Sequence, residues 1–153
     1  MLTFIVNVLE KIKMKFYEDW IYWSAVLIAI VFWLIWQSFD DTVFYNGSLS
    51  QRQLFSIIFL YPILEEFSFR GMLQGYLLEY RIFNKKILGF SLSNYLTSLL
   101  FSCFHLFSKE LFFAFLIFFP SLIFGYFRDK YKSVLPSILL HCFYNAGFLY
   151  IHY

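Results

Sequence analysis

Charge is scarce in this 153-residue chain: Asp, Glu, Lys and Arg together make up 14% of it, against the roughly 25% usual for a water-soluble domain. So little charge argues against a soluble domain. The twelve Lys and Arg residues build no basic face, so nucleic-acid binding has no support. The two cysteines, Cys103 and Cys142, lie in apolar stretches, do not make a disulfide framework and read as small buried residues. Residues 1–19 lack a small-residue cleavage site before a short apolar core, so no cleavable signal peptide is expected. H-E-x-x-H is also absent, which removes the usual zincin arrangement. No internal repeat supports a proton-coupled transporter.

What the chain has is apolar surface. Hydrophobic residues are 61% of it, aromatic residues 25%, with 23 phenylalanines and a mean hydropathy of +0.66. This composition predicts one integral membrane domain over residues 1–153, an all-α bundle with no soluble domain attached. Five apolar segments emerge, about 20–39, 53–78, 88–107, 111–127 and 134–151. Most approach the ~20 residues that a spanning helix needs, and the second is long enough to tilt, kink or project. Before them, Leu2, Ile5, Leu9, Ile12 and Phe16 recur at helical spacing opposite Lys11 and Lys15, which suits an interfacial helix over 1–19 or an extension of the first span.

The loop charges give an orientation. Lys11, Lys13, Lys15, Arg81, Lys85, Lys86, Arg128, Lys130 and Lys132 fall on one side of a five-span bundle, and Arg52 and Lys109 on the other. By the positive-inside rule the N-terminus is cytoplasmic and the C-terminus outside, in a multi-pass cell-membrane protein.

Against that background, Glu65, Glu66 and Arg70 stand inside the second apolar segment. A charge at bilayer depth costs ~2.5–3.5 kcal/mol per Asp, Lys or Arg on insertion scales, so such groups usually face a polar cavity. Glu66 and Arg70 are four apart, share a face and can pair, which lowers the cost of burying either. Glu65 lies about 100° around the helix and needs a partner elsewhere. His105 falls four residues after Phe101 in the third segment, and Asn145 four after His141 in the fifth. Counted from the basic ends at ~1.5 Å per residue, Glu65 lies roughly 22 Å in, His105 roughly 21–25 Å, Asn145 roughly 18 Å and His141 near 12 Å. Those depths suit one mid-membrane cluster.

Plainer readings exist for each residue. A lone membrane histidine often serves as a helix–helix hydrogen-bond donor. Arg70 reads as structural, and Gly71 with Gly75 as a close-packing face. Pro62 and Pro120 read as kinks and Pro136 as a helix start. Ser68, Ser102 and Cys103 have no base placed for them by spacing, and His152 has no informative context. The cluster as a whole resists these readings. A carboxylate and an imidazole flanking one water can take its proton, while a second imidazole and an amide N–H can donate to the oxyanion of a tetrahedral intermediate. Two histidines and a carboxylate could instead hold zinc. Zinc is not the favoured expectation: ligating histidines usually have a carboxylate or carbonyl behind the ring, and the one acid nearby, Glu66, is already paired with Arg70.

Glu-Glu-Phe-Ser-Phe-Arg-Gly at 65–71, Phe-Ser-Cys-Phe-His at 101–105 and His-Cys-Phe-Tyr-Asn at 141–145 resemble, in order, the E-E-x-x-x-R, F-x-x-x-H and H-x-x-x-N motifs of the CaaX-processing and bacteriocin-processing intramembrane glutamic proteases. The resemblance covers about residues 53–150, the expected protease core; Gly125 looks like that family's glycine in the fourth span. It implies an intramembrane endopeptidase acting on a membrane-anchored or hydrophobic protein or peptide. Glu65 would be the base, His105 would help to hold the water, His141 and Asn145 would form the oxyanion hole, and Glu66 and Arg70 would support them without a cofactor. With one span before the first motif, the chain resembles the compact prokaryotic branches. The rival expectation is a non-catalytic immunity or scaffold protein that keeps the motifs for binding.

Overall fold

Ser50 opens the helix that carries Glu65, Glu66 and Arg70. Its hydroxyl accepts from the Gln53 backbone N–H while the Gln53 side chain accepts from the Ser50 N–H, a reciprocal cap. The computed structural model describes residues 16–39 and 49–152. Most of the interfacial segment expected over 1–19 therefore lies outside the described residues; Phe16–Glu18 form a 3-10 turn.

Among the described residues five helical rods follow one another. Helix α1 is Trp20–Phe39. Helix α2 runs unbroken over 51–77 as Gln51–Phe55, Ser56–Leu60, Tyr61–Glu66, Phe67–Leu73 and Gln74–Leu77, the second and fourth pieces being wide π turns. There the Tyr61 N–H reaches back five residues to the Ser56 carbonyl, and the Gln74 N–H to that of Phe69. Such turns inside α-helices are frequent at functional sites. Helices α3, α4 and α5 are Leu92–His105, Leu111–Tyr131 and Leu135–His152. Helix α4 continues through Pro120 and ends at Lys132 in the left-handed conformation, while Pro136 sits in the first turn of α5, as expected for a helix start.

The all-helical expectation has one exception. Residues 88–91, expected to begin the third helix, belong instead to a hairpin of β1 (Lys86–Ile87) and β2 (Phe90–Ser91), with Lys86 opposite Ser91 and Ile87 opposite Phe90. The apolar run there is period-ambiguous, and Gly89 at φ 88° turns the chain. Ser91 then caps α3 through the Asn94 N–H. The shortened α3, 14 residues, reaches only about 21 Å, less than the ~30 Å hydrocarbon thickness. Trp20–Ser38 and Leu111–Tyr131 are long and apolar enough to cross a membrane, and Leu135–Ile151 is shorter.

Side-chain bonds fix the order of the rods. Arg70 meets Ser121 and Gln74 meets Gly125, so α2 and α4 run parallel. Asn94 donates to the Leu122 carbonyl and Ser102 to that of Ala114, so α3 runs against α4. Gly125 is required here: a Cβ would lie 1.9 Å from the Asn94 amide oxygen. Helix α1 packs through Tyr22 and Ala25 onto Phe124, Phe127 and Leu140, receives a bond from the Tyr144 hydroxyl at the Ala25 carbonyl, and lays Trp33 where Gly147 has no side chain. At one end Asp19 binds Lys130 at 2.6 Å and the Tyr131 hydroxyl. Burial acts against ionisation of Asp19, but those two partners and the Ile21 N–H outweigh it and hold the carboxyl below its ordinary range.

Candidate active site

The three helices bearing the sequence motifs converge on His141. Its Nδ1 lies 2.9 Å from Glu66 Oε1 and its Nε2 lies 3.7 Å from Glu65 Oε2. Glu66 Oε1 also takes Arg70 Nη1 at 3.0 Å, with both side chains fully buried. Arg70 Nη2 then donates to Ser121, 2.6 Å to its hydroxyl and 3.1 Å to its carbonyl. A single line of contacts thus runs from Ser121 through Arg70, Glu66 and His141 to Glu65. Glu65 is its accessible end, with a quarter of the side chain exposed.

The chemistry of this line follows from who donates. Glu66, ionised against Arg70, accepts from the His141 Nδ1–H, so the neutral ring turns a bare Nε2 toward Glu65. When the ring carries both protons, Nε2–H becomes a donor at the open end. Phe124 stacks on the His141 ring at 5.0 Å and Phe101 meets it edge-on at 5.8 Å, which fixes its plane. Phe101 also lies 4.3 Å from the Arg70 guanidinium, a contact that stabilises a desolvated cation.

His105 is the last residue of α3. Its ring lies 4.6 Å from that of Phe101, and its Nδ1 is 2.9 Å from the Phe101 carbonyl. That carbonyl accepts, so Nδ1 carries the proton and Nε2 is left as an acceptor. Asn145 Nδ2 donates at 2.9 Å to the Ile57 carbonyl in the first wide turn of α2; its second N–H remains uncommitted by that bond.

Two sequence expectations need correction. Glu66 is not used up by Arg70, because the same oxygen also holds His141. Both histidines therefore do have an acceptor behind the ring, Glu66 for one and the Phe101 carbonyl for the other. The argument against zinc from missing supports fails. Among the described residues no group of three His, Cys, Asp or Glu side chains is arranged as a set of metal ligands.

Gly71 and Gly75 also differ from a simple packing face. A Cβ on Gly71 would meet Val134 at an ordinary 3.6 Å, whereas one on Gly75 would crowd Arg128 Nη2 at 3.0 Å. Gly75 leaves room for Arg128, whose Nε donates to the Arg70 carbonyl. Ser68 and Ser102 spend their hydroxyls on the Leu64 and Ala114 carbonyls, and Cys103 is exposed.

Sequence reasoning missed Phe124, Ser121 and Gln74 as neighbours of the motif residues. It also missed a polar row, Asn94, Ser98 and Ser102, repeating every four residues along α3 and buried. That spacing in an apolar helix was the available signal. A second row, Thr97, Phe101 and His105, shares the period. The first row holds α4, and the second includes both motif residues of α3.

A family model described as Type II CAAX prenyl endopeptidase Rce1-like matches residues 48–147, about two thirds of the chain and all three motifs. Comparisons with curated proteins and with solved structures returned no match.

Proposed function

This chain belongs to the Type II CAAX prenyl endopeptidase Rce1-like family and is, at that level, a membrane protease; from that premise we propose that it hydrolyses a peptide bond in a membrane-anchored or hydrophobic peptide, with Glu65 as the general base. The observation that carries this reading is the division of labour between the adjacent glutamates. Glu66 is sealed between Arg70 and His141, whereas Glu65 is partly exposed and faces the same imidazole.

In the proposed reaction, a water lies between Glu65 and the His105 Nε2. Glu65 takes a proton as the water oxygen bonds to the scissile carbonyl carbon, and the carbonyl electron pair moves onto its oxygen. The doubly protonated His141 donates Nε2–H to that oxyanion while Glu66 holds its other side, and Asn145 offers its second N–H. Collapse of the intermediate breaks the C–N bond, and the proton on Glu65 passes to the departing amine. The reaction uses no metal. The bundle crosses the membrane five times with the N-terminus cytoplasmic, α3 being short enough to leave His105 within the bilayer.

The test is cleavage of a prenylated C-terminal peptide and of an unprenylated apolar peptide by the purified protein in proteoliposomes. Glu65→Gln should keep its thermal midpoint and lose turnover by roughly two to four decades, the usual scale for a general base. Undiminished turnover in a folded Glu65→Gln protein would remove Glu65 from the chemistry. No turnover of either peptide by the intact protein would count against the endopeptidase reading.

A further inference from the structure

Leu88 stands at the tip of the β1–β2 hairpin with φ 50°, and its side chain is 89% exposed. With Gly89 at φ 88° it forms a two-residue connection whose positive φ angles are normally met by Asn-Gly or Gly-Gly. Leucine is strained in that region and gains no compensating packing here. Strain held at an exposed position points to a use outside the folded chain. Ile87 and Ile82 beside it are also exposed, at 54% and 59%.

The hairpin is anchored at a defined level. Ser91 donates to Asp129 at 2.5 Å, and the Phe90 ring lies 6.0 Å from that of Tyr126. Both partners belong to the last turns of α4, a helix of membrane length. The tip therefore sits level with the C-terminal end of α4. Between hairpin and helix is a cavity of about 130 Å³ lined by Lys86, Gly89, Phe90, Tyr126, Asp129 and Lys130. The one carboxylate in its lining, Asp129, accepts from Ser91 and Gln74 and lies 3.8 Å from Arg128 Nη1, while Lys130 is held by Asp19. Among the described residues Lys86 is paired with no carboxylate. A Cβ on Gly89 would meet nothing within 4 Å, so the mouth is open.

We propose that this hairpin reads the lipid surface: Ile87 and Leu88 enter the acyl boundary, and the adjoining cavity receives the phosphate of an anionic phospholipid, paired with Lys86. Tyr126 and Phe90 cover the glycerol region. Basic pockets at the ends of membrane helices bind lipid headgroups in this way, and an apolar tip flanked by cations is the composition of an interfacial anchor. The inference does not depend on the protease reading.

The experiment uses the full chain in vesicles of phosphatidylcholine alone or mixed with phosphatidylglycerol. An environment-sensitive fluorophore on Leu88→Cys, in a Cys103→Ser/Cys142→Ser background, should emit to the blue and be quenched by spin labels at the headgroup boundary. For the unlabelled native protein, phosphatidylglycerol should raise the thermal midpoint in detergent. Lys86→Gln should weaken the apparent affinity for that lipid about fivefold, the scale of one lysine near an anionic leaflet. Leu88→Asn should raise the midpoint in plain detergent by relieving strain, yet bind phosphatidylglycerol less well. Water-like emission in both vesicles, or a midpoint indifferent to phosphatidylglycerol, would overturn the proposal. An equal rise with inorganic phosphate would also overturn it, making the cavity a site for the free ion.

Discussion

Asn145 donates its side-chain N–H to the carbonyl of Ile57, a group that helix α2 leaves without a donor. The reason lies in the next turn. Tyr61 has already bonded to Ser56, and the residue five beyond Ile57 is Pro62, which has no N–H. The last residue of the third motif therefore satisfies a carbonyl that the proline at the start of the first motif's helical turn sets free.

This separates a structural role for Asn145 from a chemical one. Asn145→Ala should destabilise the protein by about 1 kcal/mol, the scale of one lost hydrogen bond at a part-buried carbonyl, and should also depress turnover. Pro62→Ala restores an N–H at the position that a wide turn would use. In Pro62→Ala/Asn145→Ala the thermal midpoint should return while turnover stays low. Recovery of both in the double variant would take Asn145 out of the oxyanion hole.

Arg70 is expected to support the fold rather than touch substrate. Breaking a buried ion pair from one side costs about 3–5 kcal/mol, so Arg70→Ala should lower folded yield and activity together. Glu66→Gln/Arg70→Met should regain part of the yield, because neither charge is then stranded. The recovery stays partial, since Ser121 loses its donor and His141 its ionised acceptor. An Arg70→Ala protein with normal yield and midpoint but no turnover would move Arg70 into the reaction.

Metal independence is expected because, among the described residues, no three His, Cys, Asp or Glu side chains form a ligand set, and the measurement is direct. Protein purified without chelating resin should carry far less than one zinc per chain and keep its activity in strong chelator. Stoichiometric zinc, with activity lost on chelation and regained on adding the metal, would recast Glu65, His105 and His141 as ligands. Glu66 and the Phe101 carbonyl would then be the groups orienting the two rings.

Much of the site was legible because spacing on an α-helix is a geometric statement. Glu66 and Arg70, four apart, do pair, and His141 and Asn145, four apart, both reach α2. The double engagement of Glu66, with Arg70 and with His141, was not legible, since intrahelical spacing says nothing about which residue of α5 lies opposite. The wide turns were also hidden: hydrophobic periodicity averages over a window longer than one turn. Residues 88–91 read as the start of the third helix because Leu88 and Phe90 are apolar in either structure, although Gly89 and the capping Ser91 marked the boundary.

The segment Tyr61–Glu66 is bounded on both sides by turns that each hold one residue more than an α-helical turn. To slide the segment by one residue between fixed ends, one of these turns would have to close to an α-helical turn and the other to take up a second extra residue. A slip of one residue would bring Glu65 to the place of Glu66, still beside His141 and Arg70, and Leu64 to the place of Glu65. The duplicated glutamate would keep the buried ion pair satisfied while the partly exposed position beside His141 held a hydrocarbon. What fixes the frame in which Glu65 is presented is therefore not the glutamate pair itself but the grip of Ser121 on Arg70 and of Asn145 on Ile57, one on each side of the segment.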